Sequence, residues 1–129
     1  MSTIPTFQVD AATPIDLKLA FTGLTNFSIA LGDWNDAASK WIPRTPYIAT
    51  NKLSHNKEDY PAFATVGADV TLLLVISLSM TSLGGAAPVS TVAELSQKGL
   101  LKGQVSTPPT TPGASQAASV TMQIFLRGV

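Results

Sequence analysis

The 129-residue chain carries eight Lys or Arg and eight Asp or Glu, so 12% of it is charged and its net charge is zero. Soluble domains usually carry about a quarter. The absence of cysteine excludes a disulfide framework and any cysteine-held zinc or iron–sulfur site. Zero net charge speaks against wholesale contact with a phosphate backbone, and 45% apolar residues speak against disorder. One β domain spanning 1–129, without direct nucleic-acid binding, is the expectation.

Residues Met1–Phe7 show neither a basic n-region nor an apolar h-region, which predicts no signal peptide and retention in a cytoplasm. Ile15, Leu17, Leu19 and Phe21 then alternate with Asp16, Lys18, Ala20 and Thr22, the period of a half-buried strand. After Gly23-Leu24-Thr25-Asn26, the same alternation resumes with Phe27, Ile29 and Leu31. Two such runs around a short Gly/Asn turn predict an antiparallel hairpin. Gly32–Pro43 reads either as a helix capped by Asp33 or as a hairpin pairing Trp34 with Trp41. Turn formers at Asn35–Ser39 and the edge-compatible Pro43 favour the hairpin. From Arg44 to Pro61 the text is irregular, and Asn51–Asp59 predicts a solvated loop.

Asp69–Thr81 is the strongest strand signal. Val70, Leu72, Leu74, Ile76, Leu78 and Met80 line one face, while Leu73 and Val75 make the middle of the other face apolar too. Such a strand is expected to be central, with its back covered by a second layer or a partner. The uncharged stretch Val70–Ala93 is interrupted by hydroxyl residues, Gly84, Gly85 and Pro88, and its apolar part falls short of the roughly 20 residues of a membrane helix. No membrane span is expected. Leu83-Gly84-Gly85 ends the strand, and Thr91-x-x-Glu94 with Gly99 predicts a short helix over Val92–Lys98. Gln104–Gln116, rich in Pro, Thr and Ser, predicts an extended loop outside any sheet. Val120, Met122, Ile124 and Leu126 predict a closing strand. The fold class expected is all-β, mainly antiparallel: a small β-sandwich or jelly-roll-like barrel, with one short helix in a long loop excursion at about 83–118.

Catalytic signals are sparse. His55, the single histidine, lies in a polar run near Glu58 and Asp59. A triad needs such a group against a nucleophile, and a loop His beside Lys reads as solvated instead. Asp33, Asn35 and Asp36 supply calcium-type oxygens without EF-hand spacing, and read as turn formers. No phosphate-binding loop is present, because Gly84-Gly85 lacks the following Lys. Neither an enzyme, a metal nor a cofactor is expected. Trp34 and Trp41 offer an alternative ligand platform, since an aromatic pair either packs or stacks on a sugar ring.

The missing charges are replaced by 12 Ser and 15 Thr. Such side chains bury against a neighbour at low desolvation cost, whereas Lys and Glu are depleted from interfaces. The candidate assembly contacts are Leu73, Val75 and Phe125 on the second face, with Pro108, Pro109 and Pro112 in the long loop. Either a partner or the chain's own second sheet could cover Leu73, Val75 and Phe125. The functional expectation is a structural subunit assembling with itself or with other capsid subunits. It would be a coat, decoration or outer-shell protein of a phage or viral virion, assembled in the host cytoplasm. The alternative is a carbohydrate- or ligand-binding sandwich module.

Overall fold

The computed structural model describes residues 4–82, 87–113 and 116–129. In chain order the strands are β1 (Thr6–Val9), β2 (Ile15–Thr22), β3 (Leu24–Asn35), β4 (Lys40–Pro43) and β5 (Ala49–Ser54). They continue with β6 (Lys57–Ala64), β7 (Thr71–Thr81), β8 (Ser90–Gln97), β9 (Leu100–Ser106) and β10 (Ala118–Gly128). The larger sheet runs β1-β10-β7-β3, with β4 and β5 sharing the far side of β3; the smaller runs β6-β2-β8-β9. All pairings are antiparallel except β1 with β10. Among the described residues there is no helix, and so none long and apolar enough to cross a membrane.

The inner faces of the two sheets share one core, the arrangement of a β-sandwich. Period two decides which side chains enter it. Ile15, Leu17 and Leu19 of β2 are fully buried, as are Phe27 and Ile29 of β3, Leu72, Leu74 and Ile76 of β7, and Ile124 and Leu126 of β10. Strand β7 is central, as its two apolar faces predict, lying between β10 and β3.

Four expectations are corrected. First, β2 and β3 are not a hairpin: they lie in opposite sheets, joined at Gly23 (φ +104°). Their apolar faces meet across the core, with the Phe21 and Phe27 rings 5.0 Å apart, because alternation reports a buried face and not which sheet carries it. Second, the helix at Val92–Lys98 is strand β8. Thr91, Ala93, Leu95 and Gln97 are buried and Val92, Glu94 and Ser96 half-buried, so period two was present beneath the capping signature. Lys98 (φ +50°) and Gly99 (φ +77°) then form the two-residue turn with positive φ that favours a β-hairpin.

Third, the start of the predicted Pro/Thr loop does join a sheet, since Gln104, Val105 and Ser106 finish β9. Prolines begin only at Pro108, and Thr107 is itself buried: its N–H donates to the Thr91 carbonyl at 2.9 Å and its Oγ1 accepts from the Thr91 N–H at 2.9 Å. The middle of the expected excursion, β8 and β9, is therefore half of the smaller sheet; 83–86 and 114–115, including the Leu83-Gly84-Gly85 stop, lie outside the described residues. Fourth, much of the solvated loop at Asn51–Asp59 is β5 and β6. These edge strands need backbone partners more than apolar side chains, so their exposed polar sequences hid them.

Candidate functional site on the outer face of the larger sheet

Alternation sends Asn26, Ser28, Ala30, Gly32 and Trp34 of β3 away from the core, together with Leu73, Val75, Ser77 and Ser79 of β7 and Ser119, Thr121, Gln123 and Phe125 of β10. The strand register sorts them into cross-strand rows. Ser119, Ser79 and Asn26 form one; Thr121, Ser77 and Ser28 the next; Gln123, Val75 and Ala30 the third; Phe125, Leu73 and Gly32 the fourth. Arg127 and Thr71 begin a fifth, with Trp34 beside them. Each row lies two residues from the next, so the face grades from short hydroxyl and amide groups at one end to aromatic rings at the other.

The β3–β4 hairpin builds the aromatic end, with Trp34 directly opposite Trp41 as the sequence predicts. In its turn Asn35 Oδ1 accepts from the Ala38 N–H at 3.2 Å, and Ser39 takes a positive φ. The Trp41 indole lies over Gly32, where a Cβ would overlap Nε1, and donates to the Leu73 carbonyl at 3.2 Å. A glycine is required there for that close approach. Trp34 tilts against Phe125, with centroids 5.1 Å apart, and donates to Asp36 at 3.0 Å. The two tryptophans thus do not make one free platform, because Trp41 is committed to the sheet.

At the hydroxyl end, Asn26, Ser28, Ser77, Ser79, Ser119 and Thr121 line an open hollow of about 320 Å³. A second hollow, of about 360 Å³, lies at the aromatic end among Thr6, Trp34, Asp36, Thr71, Phe125 and Arg127. Among the described residues of this outer face, the charged side chains stand at the aromatic end: Asp36, which accepts from Trp34, and Arg127, 3.7 Å from Asp69 and hydrogen-bonded to Thr71. The outer face of the smaller sheet is different. It presents Asp16, Lys18, Lys57, Asp59 and Glu94, and the register sets Lys18 between Asp59 and Glu94.

The candidate contacts separate on this geometry. Leu73 is only 3% exposed, enclosed in its row by Phe125, Gly32 and the Trp41 indole. Val75 and Phe125 are half-buried on the outer face, so the chain's own second sheet does not cover them. Pro108 and Pro109 are exposed, while Pro112 is buried. His55 stands in the exposed β5–β6 turn, apart from both hollows. Asp33 is held by Arg44 at 2.8 Å, and among the described residues no three His, Cys, Asp or Glu side chains gather to hold a metal. Tyr60, edge-on to Phe27 inside β6, has its phenol pushed up, first by burial and then by the charge of Glu58. Sequence reading missed the hydroxyl hollow and Gly32, although the alternation that located Leu73 and Val75 also places Ser77, Ser79 and Thr121. The chain matches no known protein family, no characterised protein and no solved structure.

Proposed function

We propose that the chain is a non-enzymatic structural subunit that packs against neighbouring subunits in a shell, as a coat, decoration or outer-shell component of a phage or viral particle. The observation carrying this reading is the contrast between the two outer faces. Rows of Ser, Thr and Asn cost less to desolvate, where their polar groups find hydrogen-bond partners, than the charges of Lys18, Asp59 and Glu94. Zero net charge favours an outer-shell role over lining a genome, because a genome-facing surface gathers basic residues. Light scattering tests the reading: the purified protein is expected well above its 13.5 kDa chain mass, or bound to preformed shells. A non-binding monomer at high concentration overturns it.

A second reading, a carbohydrate-binding module, draws support from the hollow at Trp34. Two tilted rings beside a carboxylate, a guanidinium and two hydroxyls suit a sugar, which presents an apolar face and hydroxyl edges. The platform is then Trp34 with Phe125, not Trp34 with Trp41. Glycan binding that Trp34→Ala abolishes, with folding intact, is the outcome this reading requires.

A further inference from the structure

We infer that the outer face of the larger sheet is self-complementary, and that its occupant is a second copy of this chain packed face to face about a two-fold axis. The inference rests on the assembly reading and adds the partner and the symmetry. Five rows cross this face, and the middle one is Gln123, Val75 and Ala30. The rows on one side of it carry the hydroxyl hollow; those on the other carry Phe125, Trp34 and Trp41. Rotation by half a turn about an axis lying along the middle row exchanges the two ends. The aromatic rings of each copy then stand over the hydroxyl hollow of the other. That hollow, of about 320 Å³, gives them room, and its short side chains allow two sheets to approach.

Three further observations select a second copy. Among the described residues the charges on the face, Arg127 and Asp36, both stand at its aromatic end, and the rotation sets Arg127 over Ser119 and away from its own counterpart. No like charges meet. Val75, half-buried and apolar, falls on the axis opposite itself, which is how an isologous interface uses a single side chain twice. Three strand widths at about 4.8 Å and 11 residues at about 3.4 Å give roughly 540 Å² of face per copy. The roughly 1,100 Å² in a pair clears the about 1,000 Å² that a specific interface needs.

Two variants test this in the full-length protein. Ser77→Arg puts a charge on an exposed strand position inside the hollow, and is expected to weaken association at least tenfold in sedimentation equilibrium while the thermal midpoint holds. Ala20→Arg, on the outer face of the smaller sheet, is the matched control and leaves association unchanged. Gln123→Cys adds the chain's one cysteine on the middle row, and a short bismaleimide is expected to join it into a discrete dimer in high yield. Association that survives Ser77→Arg, or failure of Gln123→Cys to cross-link in an associating sample, overturns this interface and leaves the assembly reading standing. The same holds if the chain binds shells but never itself. A monomer that binds neither overturns both.

Discussion

The two sheets have similar interiors and opposite exteriors. Inside, both present Leu, Ile, Val and Phe at alternate positions to one core. Outside, the smaller sheet sets Lys18 between Asp59 and Glu94, while the central rows of the larger sheet hold Ser77, Val75 and a buried Leu73. A strand face left permanently to water is well served by charges, which keep it soluble and discourage unwanted contact. A face without them either has a cover of its own or is kept ready for one. The larger sheet does both. Trp41 and Phe125 enclose Leu73 from within the chain, and the hydroxyl rows beyond them remain open.

The largest expected effect comes from forcing the two faces to accept the same change. Leu73→Asp buries a carboxylate beneath the Trp41 indole and should cost about 4 kcal/mol or more, lowering the thermal midpoint by on the order of 10 °C or more. Val92→Asp, at a half-buried outward position on the smaller sheet, should cost less than about 1 kcal/mol. Equal losses in denaturant unfolding would mean that both exteriors tolerate charge alike, and the contrast would collapse. Loss of assembly with a fully stable Leu73→Asp fold would instead put Leu73 in the contact itself.

Smaller, and confined to the interior of the smaller sheet, is the effect expected at Gln97. Its side chain is 1% exposed and ties β8 to the β1–β2 connection. Oε1 accepts from the Asp10 N–H at 2.8 Å, and Nε2 donates to the carbonyls of Asp10 and Thr13 at 3.1 and 3.0 Å. Gln97→Leu keeps the bulk and strands those backbone groups, which should cost about 2–3 kcal/mol in chemical unfolding. A cost below about 0.5 kcal/mol would show that the connection is held by strand pairing alone.

How much of this was legible depended on where a residue's partners lie. Period two placed Ile15–Phe21, Phe27–Leu31, Leu72–Met80 and Val120–Leu126 on strands, because a buried face writes its alternation locally. The Trp34–Trp41 pairing was legible for the same reason, the turn between them being short. Partnership at a distance was not written anywhere. Nothing in Ile15–Leu31 says that its two halves oppose each other across a core instead of pairing. Thr91 and Glu94 satisfy a helix-capping pattern and a strand equally well, and pairing with β2 on one side and β9 on the other decides between them. Gln97 looked like a helix end because its hydrogen-bond partners, Asp10 and Thr13, are more than 80 positions away. On the candidate site, composition announced the hydroxyl residues and alternation assigned Leu73 and Val75 to a second face. That Leu73 is roofed by Trp41 required the register, and with it Gly32.

The smallest expected effect tests what the charges of the smaller sheet are for. Lys18 pairs across the strands with Glu94 on one side and Asp59 on the other. Its exposed position leaves it in high dielectric, where an ion pair gains little beyond the entropy it costs. In a double-mutant cycle, Lys18→Ser and Glu94→Ser should couple by about 0.2–1 kcal/mol, falling as salt screens the pair. A coupling above about 2 kcal/mol that persists in high salt would make these charges part of what holds the sheet together. They would then no longer mark a face left to water, and the charge-poor face opposite would lose the contrast that singles it out.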